Sequence, residues 1–216
     1  MRGQRAAYRP IRTPLAATSR PLDVVAGLLA LAPFRTLYVA DLDAITGTGD
    51  HCATLDDLHA AFPQLDLWVD AGEADAARIR QRAASGRGVS VVGTETLGAA
   101  AAGVLAAGPL VLSLDHDAAG PLGPPAVHAD ARLWPERVIV MTLARVGSGE
   151  GPDLASLDGI AARAVAAGVA PALFAAGGVR GPGDLEALSR RGIAGALVAS
   201  ALHDGRIAPR DAQRWA

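Results

Sequence analysis

Asp115 closes the apolar run Leu110–Leu114. A carboxylate at the C-terminal end of a buried parallel strand faces the mouth of an α/β barrel, where it can give or take a proton. The competing role is a cap on the following turn. Two further turns have the composition of an anion cup. Ala176-Gly-Gly-Val-Arg180 follows one apolar run, and Val198-Ala-Ser200 follows the next. Gly177 and Gly178 let backbone N–H groups come close to a phosphate, and Ser200, beside Ala199, adds a hydroxyl. Gly72, with Gly93 and Thr94, offers a second such site, although glycines there also serve tight strand-to-helix turns. Of the two carboxylates in Asp41-Leu-Asp43, one is expected to reach the mouth. Asp41 is the expected substrate contact.

Other chemistries are excluded or disfavoured. All 20 basic residues are arginine, so neither a Schiff-base lysine nor a phosphate-binding P-loop lysine is present. His51 and His59 bracket a helix start, and His116, His128 and His203 are isolated; no metal site is expected. Cys52 has no obvious activating base and reads as a partly buried thiol. No organic cofactor is expected.

These groups need elements to hold them. Seven short, nearly continuous apolar runs read as parallel strands buried on both faces: Thr36–Ala40, Leu65–Asp70, Val89–Gly93, Leu110–Leu114, Arg137–Met141, Ala172–Ala176 and Ala194–Ala199. Segments of helical spacing lie between them: Leu22–Leu31, Thr54–Phe62, Ala74–Ala84, Thr96–Ala107, Leu154–Ala167 and Pro182–Arg191. Thr54, ahead of Asp56 and Asp57, suits a helix start, and Gly168 suits a helix end.

The chain of 216 residues is half hydrophobic and 19% charged, the composition of one sizeable globular α/β domain. A net charge of −2 gives no field for nucleic acid or acidic membranes. The uncharged stretch Thr96–Leu114 is broken at Gly108-Pro109, so a helix, a turn and a strand explain it better than a membrane span. The basic arm of residues 1–20 lacks the apolar core of a signal peptide, and a single cysteine fits a reducing compartment. The expected location is cytoplasmic.

An internal repeat organises the domain. LWVDAG at Leu67 resembles ALFAAG at Ala172, GVSVVGTETL at Gly88 resembles IAGALVASAL at Ile193, and LYVADLDAI at Leu37 resembles VIVMTLARV at Val138. Each pair lies about 100 residues apart and in the same order, the mark of two half-barrels, about 21–108 and 109–216. The expected fold is a (β/α)8 TIM barrel. The partner of the Leu110–Leu114 strand should lie near or before residue 14, where Tyr8-Arg-Pro-Ile-Arg-Thr-Pro cannot be a buried strand. The first strand is therefore expected to be missing; either the natural chain begins further upstream, or the barrel is open there and leaves strand edges unpaired.

The stretches LYVADLDAI, VVGTETL, VLSLDHDAAG, VIVMTLARVGSGEGPDL and FAAGGVRGPGDLEAL…GIAGALVASALHDG resemble a family of histidine biosynthesis: the phosphoribosylformimino-aminoimidazole-carboxamide ribotide isomerase and its cyclase relative. The resemblance runs from Leu37 to Gly205 and points to a divergent branch. It implies an Amadori-type aldose–ketose rearrangement of a phosphorylated ribonucleotide or sugar, with a first-strand carboxylate as base and a fifth-strand carboxylate as acid. Asp115 matches the acid. Thr142 matches a substrate-contacting threonine, although packing explains a buried β-branched residue equally well. The chain departs from the pattern in three places. No carboxylate precedes Asp23, Glu73 replaces an arginine-bearing glycine turn and would repel phosphate, and Arg145 stands where the family carries an Asp-Gly pair and would contact an anion instead. The alternatives are a related barrel recruited to another pathway, such as one-carbon cofactor biosynthesis, or a non-catalytic binder of a phosphorylated ligand.

Overall fold

A computed structural model describes residues 10–216. Among the described residues, seven parallel strands form one sheet in sequential order: β1 (Thr36–Ala40), β2 (Asp66–Asp70), β3 (Val89–Gly93), β4 (Val111–His116), β5 (Arg137–Thr142), β6 (Ala172–Ala176) and β7 (Gly195–Leu197). The sheet curls into a nearly closed barrel, a (β/α)8 architecture less one strand. Both its edges, Thr36 to Tyr38 of β1 and Gly195 to Leu197 of β7, line one cavity of about 880 Å³. The residues proposed from the sequence as unable to form a first strand fall partly outside the described residues.

Helices cover the outer face: α1 (Pro21–Leu31), α2 (Leu42–Thr46), α3 (Cys52–Ala61), α4 (Ala76–Ala84), α5 (Pro125–Ala129), α6 (Leu154–Ala166), α7 (Pro182–Ser189), α8 (Ser200–His203) and α9 (Pro209–Trp215). α6 shows how the local signals act. Asp153 accepts from the Ser156 N–H at its start, and Gly168 at φ 72° ends it. α3 corrects the sequence reading. It begins at Cys52, two residues before Thr54, because the Asp41 carboxylate accepts the His51 N–H at 2.8 Å and fixes the entry from outside the helix.

The segment expected as a helix over Thr96–Ala107 is a 3₁₀ run over Ala99–Ala107. Glycines 98, 103 and 108 weaken α-helix there. Burial of Ala101 and Leu105, with the Gly98 N–H bonded to Ala74 O, ties the run down instead.

Strand alternation splits the core into two. Outward-facing Leu112, Leu114, Val138, Val140 and Ala175 pack under the helices. Inward-facing Trp68, Val91, Val111, Ile139 and Ala176 fill the lumen, with Tyr38, Met141, Phe174 and Leu197 packed on them. Trp68 and Phe174 meet edge to face across the lumen at 4.9 Å. Below them, Arg137 stacks over the Trp68 ring, and Asp66 accepts the indole N–H at 2.9 Å. Side chains thus fill the lumen at its lower end.

Candidate active site

Asp115 faces the lumen, on the same side of β4 as Val111 and Ser113. It is 5% exposed. Its Oδ1 accepts the Ser113 hydroxyl at 2.6 Å, and its Oδ2 accepts the Glu95 N–H at 3.0 Å. Its own N–H donates to Thr94 Oγ1 at 2.9 Å. Burial pushes its pKa from 3.8 up to about 7, against the pull of those two hydrogen bonds, and the charges of Asp70 and Glu95 push the same way. A carboxyl poised there at neutral pH can both donate and accept a proton.

The second glycine-bearing group holds this carboxyl. Gly93 makes room for it, since a Cβ at that position would stand 2.8 Å from Asp115 Oδ2. Thr94 is fully buried with its hydroxyl engaged by Asp115, and Gly72, at φ 69°, passes close over the Ile45 backbone. The turn after β4 closes from the other side. The Leu122 N–H donates to Asp115 O at 2.8 Å, and Gly123 lies so tightly on Thr94 O that a side chain has no space.

Asp70, which sequence reasoning passed over, joins the same group. It shares the inward face of β2 with Trp68. Its Oδ2 lies 3.8 Å from the empty Cβ position of Gly93 and accepts the Tyr38 hydroxyl at 3.2 Å, while its Oδ1 accepts the Gly72 N–H at 3.1 Å. The two-residue spacing puts Asp70 on the strand face of Trp68, but only the structure shows that this face points inward.

Gly177 and Gly178 lie at the end of β6, with Ala199 and Ser200 at the end of β7, and all four line the 880 Å³ cavity. Both glycines have positive φ, 100° and 85°. Close backbone approach also requires them, because Cβ atoms would meet Thr142 O at 2.6 Å and Gly151 O at 2.2 Å. Ala199 and Ser200 are exposed. Asp115 does not line this cavity. Tyr38 does, and its hydroxyl reaches Asp70, so it joins the two regions.

The remaining sequence candidates are placed as follows. Thr142 is buried, and the alternation of β5 turns it away from inward-facing Met141 toward Asp153 and Leu157. Arg145 donates to the carbonyls of Glu150 and Gly151 and packs its Cβ near Gly177, so it shapes the loop under that turn. Asp41 is buried and accepts from the Ala44 N–H and from both the backbone and the ring of His51. Burial raises its pKa, but the His51 hydrogen bonds outweigh that and lower it. Cys52 is partly buried, and a hydrogen bond to Asp50, with burial, raises its thiol pKa, away from nucleophilic chemistry.

Glu73 is a correction. It does not present a free charge to the mouth, because it is buried and paired with Arg82 of α4 at 2.7 Å. The expected repulsion of phosphate is thereby cancelled at its source.

Among the described residues no helix is long and apolar enough to cross a membrane. An uncharacterized protein of Methanocaldococcus jannaschii is 25% identical to this chain over 207 residues, covering 94% of this chain and 86% of that protein. Residues 128–208, from α5 to the turn after α8, match the family model described as histidine biosynthesis protein. The resemblance read from the sequence therefore stands, and the chain carries the pattern of the histidine biosynthesis protein family in residues 128–208, on a barrel of parallel strands.

Proposed function

We propose that the chain is an isomerase-like enzyme that rearranges a phosphorylated ribonucleotide or sugar from aldose to ketose by acid/base catalysis. The observation that carries this reading is Asp115, a buried carboxyl at the C-terminal end of a barrel strand, held near neutral pKa by its surroundings. In the proposed reaction Asp115 protonates the ring oxygen of the sugar, and the C1–O bond opens with its electrons going to that oxygen. Gly177, Gly178, Ala199 and Ser200 hold the phosphate at the ends of β6 and β7, with Ser200 donating its hydroxyl. The phosphate anchors the substrate so that binding energy far from the reacting carbons orients them.

The test uses the N-aryl glycosylamine of ribose 5-phosphate and its dephosphorylated counterpart, followed by NMR for ketose formation. The reading expects turnover of the phosphorylated compound only, abolished in Asp115→Asn. Ser200→Asp, a change at an exposed position, should raise KM at least about tenfold through charge repulsion. Undiminished turnover in Asp115→Asn would refute the assignment, and phosphate-dependent binding without turnover in the wild type would leave a binder of phosphorylated ligands in its place.

A further inference from the structure

We infer that Asp70 is the proton acceptor that works opposite Asp115, so that the acid/base pair of this barrel spans β2 and β4 across the gap left by Gly93. This inference rests on the isomerase-like reading above and names the second group it needs. The juxtaposition is specific. Asp115 Oδ2 and Asp70 Oδ2 stand 2.8 Å and 3.8 Å from one point, the position where any residue other than glycine at 93 would carry its Cβ. The two carboxylates differ in their surroundings. Asp115 is 5% exposed and accepts the Ser113 hydroxyl and the Glu95 N–H, whereas Asp70 is only partly buried and is oriented by the Tyr38 hydroxyl and the Gly72 N–H. Two carboxyls in unlike environments on one lumen face can divide the roles of acid and base. Tyr38, the residue that positions Asp70, also lines the cavity that reaches Gly177 and Ser200. A substrate whose phosphate sits there would extend toward Asp70.

The proton balance closes with these two groups. Asp115 gives its proton to the ring oxygen as the C1–O bond breaks, leaving an iminium at C1. Asp70 takes the C2 proton, and the C–H electrons form the C1–C2 double bond and neutralise the nitrogen. In the second half, Asp70 returns a proton to C1 while the C2 hydroxyl gives its proton to Asp115, producing the ketone and restoring both carboxyls. No oxidant or reductant is required.

The test compares Asp70→Asn, Asp70→Glu and Tyr38→Phe with wild type, using the same glycosylamine. Asp70→Asn should lower kcat by about 10²–10⁴-fold, the usual loss for a general base, with KM little changed. Asp70→Glu should recover part of that loss, and Tyr38→Phe should lower kcat less than Asp70→Asn. A second readout does not depend on turnover. Removing the Asp70 charge should move the titration of Asp115 to lower pH, read as a shift in the pH at which folding stability falls. If wild type turns the substrate over, Asp115→Asn is inactive and Asp70→Asn retains full kcat, Asp70 is not the base, while the isomerase reading survives. If wild type is inactive but the Asp115 titration shifts in Asp70→Asn, the carboxyl pair stands and the reaction assigned to it does not. An unmoved titration together with unchanged kcat overturns the inference entirely.

Discussion

Asp115 should make the protein less stable as pH rises toward neutrality, and Asp115→Asn should abolish that loss. The carboxyl has a pKa of 3.8 when unfolded and about 7 in the fold. Between those values the folded state holds a proton that the unfolded state has released, so stability falls with rising pH through this window and stays reduced above it. A shift of about 3 units at 1.36 kcal/mol each amounts to about 4 kcal/mol. Asparagine reproduces the protonated group, because its oxygen can accept the Glu95 N–H and its amide can donate to the Ser113 hydroxyl. His128 and His203, whose pKa values burial lowers, act in the opposite sense, losing stability as pH falls. The difference between wild type and variant is therefore the quantity to follow. Urea unfolding at intervals from about pH 4 to 8 should show the variant gaining on wild type as pH rises, by up to about 4 kcal/mol. Parallel curves for the two proteins would refute the burial argument and leave Asp115 an ordinary solvated carboxylate.

Three further outcomes follow from the packing. Gly93→Ala should cost about 1–3 kcal/mol in denaturant unfolding, because its Cβ meets Asp115 Oδ2 at 2.8 Å, and Asp115→Ala should relieve part of that cost in the double variant. Arg82→Ala should cost about 3–5 kcal/mol, because it strands the buried Glu73 carboxylate; a loss under about 1 kcal/mol would mean the pair is solvated. Leu105→Ala should cost about 2–5 kcal/mol in the same assay, because Leu105 is fully buried in the 3₁₀ run between β3 and β4.

The strands were legible because parallel strands buried on both faces must read as continuous apolar runs, and β1, β3 and β6 begin and end where the sequence placed them. β4 runs on to His116 because Asp115 and His116 pair with Met141 and Thr142, a partnership that no local signal announces. That same apolar continuity hid the faces. Within LWVD nothing local says that Trp68 and Asp70 point inward while Leu67 and Val69 point to the helices, so Asp70 went unremarked. Asp115 was legible as a carboxyl at a strand's end. The source of its raised pKa was not, since its burial and the approach of Asp70 from β2 arise only after β2, β3 and β4 are aligned. Glu73 was misread for a related reason, because its partner Arg82 lies one helix away.

The proton on Asp115 is the centre of the account, and the pH dependence of kcat/KM for the phosphorylated glycosylamine tests it most directly. A fall in kcat/KM through about pH 7 is expected as the free enzyme loses that proton. A profile level across neutral pH would contradict this.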